Sequence, residues 1–255
     1  MTQPRVFLTA EWKQLLMLNY SVDPALLLPF LPAGTEIDSF DGRTYVSLVG
    51  FRFNDTRVGG FAIPFHRCFE EVNLRFYVRR SEKRGVVFIR ELVPKIAIAA
   101  TARLFYGEKY SRVPMAHRIF AEPGKTSVEA EYSWGSGAQR CAMRLETTGE
   151  NYLPSDGSLS QFITEHYWGY AAQSDGGCME YEVQHPRWIV RDARQASFSG
   201  DGAHFYGDTF GKVLRRPPDS AFLAEGSAVT VFRGTRVDRK IPSAAVRSRN
   251  TSRRG

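Results

Sequence analysis

The stretch RELVPK, Arg90 to Lys95, sets a lysine between an apolar run, GVVFI, and a second run, IAIAATARLFYG. An amine in such a seam has a chemistry that a surface lysine lacks. Desolvated by apolar neighbours, it sheds its proton near neutral pH, and the neutral amine attacks carbonyl carbon to form a Schiff base. Val93, Ile96 and Ile98 supply the apolar surroundings, and a helix beginning near Ile96 turns its positive end toward the ammonium. Both effects lower the pKa of Lys95. Only seven of the 34 basic residues are lysines, so this chain mostly writes arginine, which cannot lose its proton, where a cation is needed. The competing reading is a structural lysine at a helix start.

Chemistry at an amine needs a proton carrier and, for an acidic substrate, a cation. EVNLRFYV supplies both at alternate positions. Glu71, Asn73, Arg75 and Tyr77 point one way from an extended chain, and Val72, Leu74, Phe76 and Val78 point the other. In a half-exposed sheet the polar face meets water; in a closed barrel it is the interior, where charges mark a functional cavity. Other chemistries find no footing. There is no P-loop, no GxGxxG after a strand and no GxSxG elbow. The five histidines (His66, His117, His166, His185 and His204) lack HExxH or HxH spacing, so no metal site is expected. Cys68, Cys141 and Cys178 lie too far apart for a disulfide scaffold or a CxxC knuckle. His166 falls among Phe162, Ile163 and Tyr170 and reads as a packed, hydrogen-bonded core residue, while His185, before Pro186, ends a strand, lines a pocket or closes a turn.

The elements that must hold these residues are mostly strands. Trp12–Val22, Arg43–Phe53, EVNLRFYV and RGVVFIREL carry strand patterns, with RSEKRG as a hairpin turn between the last two. TSVEAEYSW, QRCAMRLETT, MEYEVQH, RWIVRDARQASF and SAVTVF are further strands. Asp23 caps a short helix with Pro24 at its first position and Pro32 beyond its end. Longer helices are expected at Ile96–Tyr106 and at Leu159–Tyr170, the latter opened by a capping box of Ser158 and Gln161. Many strands and few helices predict an α+β fold with a large, mainly antiparallel sheet. No linker or repeat divides residues 4–234, which read as one domain.

Composition bounds the partners. Hydrophobic content of 43% and charged content of 24% are those of a water-soluble globular chain. No apolar run is long enough for a membrane span, and MTQPRVFLTAEWKQ has no signal-peptide pattern, so the expected location is the cytoplasm. The net charge of +7 is concentrated at one end. From Arg236 to Gly255 seven basic residues face a single acid, Asp238, so that segment carries +6. Residues 235–255 read as a basic, disordered tail on a nearly neutral body, and no specific nucleic-acid partner is expected.

GVVFIRELVPK resembles the segment of acetoacetate decarboxylases that carries the Schiff-base lysine, where an Arg-Glu pair is followed by a proline and two lysines. RCFEEVNLRFYV is similar to the decarboxylase segment bearing the acid near the reacting substrate, and EWKQLLMLNYSVDPALLLPFLPAGTEID to their N-terminal segment. Over about residues 8–232, EVNLRFYV, GVVFIRELVPK, FITEHYWGY and YEVQHPRW resemble more closely the uncharacterised bacterial YqjF-like family. The resemblance implies a mainly antiparallel closed β-barrel with a few flanking helices and an internal cavity. It makes Lys95 the nucleophile and Glu71 the catalytic acid, and sets Lys13 where decarboxylases have an active-site arginine. Ile96 replaces the decarboxylases' second lysine, their second acid falls near Val46 or Ser47 and is absent, and the step from Glu71 to Lys95 is shorter.

The expected function is a Schiff-base lyase of decarboxylase type acting on small oxo-acids or carbonyl compounds. Lys95 forms an iminium and Glu71 moves protons, while Lys13, Arg75 and Asn73 hold a small-molecule carbonyl or carboxylate ligand; no metal or organic cofactor takes part. The alternative is a non-catalytic small-molecule binder on the same barrel, and a homo-oligomer is compatible with either.

Overall fold

The computed structural model describes residues 5–62, 67–94, 110–121 and 127–237. In chain order its strands are β1 (Val6–Val22), β2 (Glu36–Ile37), β3 (Thr44–Val58), β4 (Phe61–Ala62), β5 (Phe69–Arg80), β6 (Lys83–Val93), β7 (Tyr110–Arg112) and β8 (Met115–Ala121). They continue as β9 (Val128–Trp134), β10 (Cys141–Thr147), β11 (Trp168–Ala172), β12 (Cys178–Gln184), β13 (Val190–Ser199), β14 (Ser220–Phe232) and β15 (Thr235–Val237). The helices are α1 (Leu159–Thr164) and α2 (Gly202–Leu214). The fold is mostly sheet with few helices, and no helix of the described residues is long and apolar enough to cross a membrane.

The site rests on one run of pairings. β14, β1, β3, β5 and β6 are successive antiparallel neighbours. β11 then joins β6 in parallel and β12 pairs β11. β12 also pairs β14, Val183 with Val231 and Gln184 with Thr230, which links the two ends of the run. β13 leaves it: Val190–Asp192 pair β14, and from Ala193 onward the strand pairs β10, followed by β9 and β8.

This second group of strands covers the outer face of the first. Tyr132, Trp134 and Met143 from it, with Tyr206, Phe210 and Leu214 from α2, share one core with Leu16, Leu18, Leu48, Leu74 and Phe76. The opposite face has its own cluster, including Leu15, Met17, Val49, Phe51, Phe53 and Phe69. β5 is therefore buried on both sides. Val72, Leu74, Phe76 and Val78 meet the outer layer, while Glu71, Asn73 and Arg75 turn inward, so their face is interior rather than solvated.

Several expected elements hold. RSEKRG is a hairpin turn in which Arg80 pairs with Lys83 and Ser81 takes φ +53°. Asp23 caps the 3-10 turn at Pro24–Leu26, its carboxylate accepting from Ala25 N at 2.8 Å, and a second 3-10 turn follows at Leu28–Phe30. Two helices need correction. The one at Leu159 ends at Thr164 rather than Tyr170, because Trp168–Ala172 is strand β11. Gly169 fits that strand where a side chain would not: its partner Tyr181 lies over it, and a Cβ would overlap the ring. Helix α2 was unexpected. Gly207, at φ +79°, kinks it and disturbs its 3.6-residue period, and Gly211 packs its Cα against the first turn, where a Cβ would come within 2.7 Å of Ala203 N. The helix expected at Ile96–Tyr106 lies outside the described residues.

Candidate active site

The inner face encloses a cavity of about 110 Å³ whose walls are mostly aromatic and aliphatic. Its polar lining is Glu71, Asn73, Arg75, Glu91, Thr164, His166 and His185. The first three stand on alternate positions of β5, so they climb one wall in steps of roughly 6.6 Å. Glu91, on β6, is the cross-strand partner of Asn73. Glu71, Asn73 and Glu91 are each 2% exposed and Arg75 is 7% exposed. Burying ionised groups this deeply costs several kcal/mol apiece unless partners compensate, so such a ladder is a costly thing for a core to keep.

Its internal bonds leave some capacity over. Asn73 Nδ2 donates to Glu71 Oε1 at 2.9 Å, and Arg75 Nη2 donates to the Ile163 carbonyl at 3.3 Å. Asn73 Oδ1 and Arg75 Nε are buried without a partner among the described residues.

Helix α1 closes the Arg75 end. Ser158 Oγ accepts from Gln161 N at 3.2 Å, which is half of the expected capping box, while Gln161 Oε1 accepts from Gly157 N at 2.6 Å rather than from Ser158 N. The helix so fixed sets Phe162 edge-on to Tyr77, 5.2 Å between ring centres, and aims the Ile163 carbonyl at Arg75. The following turn brings in His166, 7% exposed, with its ring 4.6 Å from that of Tyr77 and 5.5 Å from that of Phe162. Neither ring nitrogen has a hydrogen-bond partner among the described residues. Burial, reinforced by the charges of Arg84 and Arg75, holds this imidazole well below its ordinary titration range. The Ile163 carbonyl pulls weakly the other way without completing a hydrogen bond to the ring. His166 is thus neutral at pH 7.

The other end is aromatic. Trp12 meets Phe51 edge-on at 5.3 Å and lies 6.1 Å from Trp188, whose indole N–H donates to Ser227 Oγ at 2.9 Å. His185 stacks on Trp188 at 4.2 Å, with Nδ1 2.8 Å from the Pro186 carbonyl oxygen, and burial lowers its pKa.

The structure brings Glu71, Asn73 and Arg75 together in this cavity, but not Lys13. Gln14, at φ +57°, bulges β1, so Trp12 and Leu15 both line the cavity while Lys13 faces out, its side chain 41% exposed and 4.0 Å from Glu11. Lys95 lies outside the described residues, directly after Pro94 and two positions beyond the end of β6. Two lining groups escaped sequence reasoning. Glu91 belongs to the quoted Arg-Glu pair, and its alternation with Val93 was the available signal. His166 gave none, because its neighbours made it look like an ordinary core residue; it is buried, but without the hydrogen bonds expected of one. Among the described residues no group of three His, Cys, Asp or Glu side chains could hold a metal ion.

The fold is that of acetoacetate decarboxylase and acetoacetate decarboxylase-like enzymes. The acetoacetate decarboxylase of Legionella pneumophila superposes with a TM-score of 0.65 at 15% identity, over 92% of this chain and 88% of that one. An acetoacetate decarboxylase-like enzyme from Sphingomonas wittichii RW1 gives 0.66 at 12% identity, over 91% and 93%. The enduracididine biosynthesis enzyme MppR, solved in complex with pyruvate, gives 0.69 at 12% identity, over 94% and 93%. In sequence, residues 9–228 match the profile of the DUF2071 family, described as an uncharacterized conserved protein, and the chain belongs to that family. The uncharacterized protein YqjF of Bacillus subtilis (strain 168) is 24% identical over 189 residues, 71% of this chain and 74% of its own length.

Proposed function

We propose that this protein is an acetoacetate-decarboxylase-like enzyme, built as a closed barrel, that acts on small oxo-acids or related carbonyl compounds through a Schiff base on Lys95. The observation that carries this is the buried set Glu71, Asn73, Arg75 and Glu91 on two paired strands, one of which leads directly to Lys95. Val93, two residues before Lys95 in sequence, belongs to the apolar cluster around the cavity. The complex of MppR with pyruvate supports the substrate class by fold-level analogy only.

The chemistry is that of an amine electron sink. The lysine nitrogen adds to the carbonyl carbon, and the carbonyl oxygen takes up two protons and leaves as water, giving a protonated imine. In a 3-oxo acid the bond to the carboxylate then breaks. Carbon dioxide departs, and the bonding electrons move into the imine to form an enamine. Protonation at carbon and hydrolysis release the ketone and restore the amine. Glu71 moves the protons, with Oε1 oriented by the Asn73 amide, and Arg75 neutralises the substrate carboxylate. Lys13, off the cavity wall, is given no part. No metal or organic cofactor is required.

Borohydride reduction with a panel of 2-oxo and 3-oxo acids, followed by peptide mass mapping, tests the proposal. A reduced adduct on Lys95 that is lost in Lys95→Arg is expected. Folded protein that yields no adduct with any member of the panel refutes the Schiff base and leaves the non-catalytic binder.

A further inference from the structure

His166 is an anomaly as a structural residue. An imidazole among Tyr77 and Phe162, 7% exposed and with both nitrogens unpartnered among the described residues, contributes nothing there that a phenyl ring would not. Each buried unpartnered polar atom costs about 1–3 kcal/mol. The same cavity end holds two more atoms of this kind, Arg75 Nε and Asn73 Oδ1. The side chains that carry them are neighbours. Arg75 donates to the carbonyl of Ile163, three residues before His166, and the ring of Tyr77 lies under both, 5.8 Å from the Arg75 guanidinium carbon and 4.6 Å from the imidazole.

The spare valences specify a ligand. Arg75 Nε–H is a charge-assisted donor suited to a carboxylate. A neutral imidazole offers one N–H donor and one lone pair, and Asn73 Oδ1 offers an acceptor. A bare carboxylate satisfies the guanidinium alone. An oxygen on the adjacent carbon reaches the imidazole as well, and a hydroxyl there both accepts and donates. We propose that His166 is a substrate-contacting, specificity-determining residue that selects acids bearing an oxo or hydroxyl oxygen on the carbon next to the carboxylate. This rests on the assignment of Arg75 as the carboxylate holder but not on the Schiff base, since hydroxy acids form none.

The test is isothermal calorimetry of the full chain with 2-hydroxybutanoate and with butanoate, for wild type, His166→Phe, His166→Gln and Arg75→Gln. Wild type should bind the hydroxy acid roughly 10- to 100-fold more tightly, the value of one hydrogen bond that relieves a buried orphan. His166→Phe should keep its affinity for butanoate and lose the preference to within about threefold, whereas His166→Gln, with a donor and an acceptor of its own, should retain part of it. Arg75→Gln should weaken both acids. A folded His166→Phe with the preference intact overturns the role of His166, as does a wild type that binds both acids equally; in either case carboxylate binding at Arg75 stands. Failure of wild type to bind either acid overturns both.

Discussion

The neutrality of His166 has a consequence for folding that can be worked out in advance. In the unfolded chain this imidazole titrates near its ordinary value of about 6.5. In the fold, burial with Arg75 and Arg84 nearby keeps it unprotonated well below that. Below about pH 6.5 the unfolded state therefore binds a proton that the native state refuses, so stability falls as pH falls. The limiting slope is about 1.4 kcal/mol per pH unit for one proton. From pH 8 to pH 5 the loss attributable to this side chain is about 2 kcal/mol. His166→Phe removes the titration and keeps a ring between Tyr77 and Phe162. Urea unfolding of both proteins at pH 8, 7, 6 and 5 measures the difference. Other groups, His185 among them, are common to the two proteins and cancel to first order. The variant should gain about 2 kcal/mol on wild type between pH 8 and pH 5, nearly all of it below pH 7. Parallel curves would refute the reasoning, since they would mean that the fold accepts the proton and that the imidazole is not sealed from water or carboxylates.

Two further outcomes follow from packing around the cavity. Gly169→Ala should cost about 1–3 kcal/mol, because the new Cβ meets the buried Tyr181 ring; an unchanged melting temperature would show that the ring moves aside freely. Ser47→Ala removes the hydroxyl lying 2.6 Å from Asn19 Oδ1 and 2.5 Å from Tyr77 Oη, all buried, and should cost about 1–3 kcal/mol by urea unfolding. With Tyr77 no longer held beneath Arg75 and His166, the variant should also bind carboxylates more weakly by calorimetry, and unaltered affinity would remove Tyr77 from the site's support.

What could be read from sequence followed the strength of local periodicity. The alternation of EVNLRFYV assigned every residue of that strand to its correct face, because a period of two is a geometric property of extended chain. Whether the polar face met water was not legible, since that depends on β12 pairing with β14, two strands that meet only after long separations in sequence. The outward turn of Lys13, away from the cavity, has the same origin on a smaller scale. One left-handed residue, Gln14, shifts the parity of β1, and a glutamine gives no warning of positive φ. Helix α2 was hidden by its own glycines, which break the pattern yet are required by a kink at Gly207 and a close approach at Gly211.

The acids around the cavity also change the expected behaviour of the amine. From sequence, Lys95 had only influences that lower its pKa, apolar neighbours and a helix start. The cavity wall on β6 adds Glu91, four residues before Lys95 in sequence, and Glu71 stands two positions from Asn73, the partner of Glu91 on β5. Carboxylates within about 4–6 Å favour the ammonium and oppose desolvation. Arg75 pulls the other way but stands further up the ladder, beyond Asn73, and its charge is cancelled once a substrate carboxylate binds it. On the proposed reading, in which Lys95 reacts in this cavity, Glu71 and Glu91 outnumber Arg75 on the described wall and favour the ammonium. This inverts what a second lysine would do at the position of Ile96. The yield of borohydride-trapped adduct should then rise steadily from pH 6 to pH 9 as the ammonium gives up its proton. A yield already flat at pH 6, with the protein folded throughout, would show that desolvation outweighs Glu71 and Glu91 and that the acids do not face the amine.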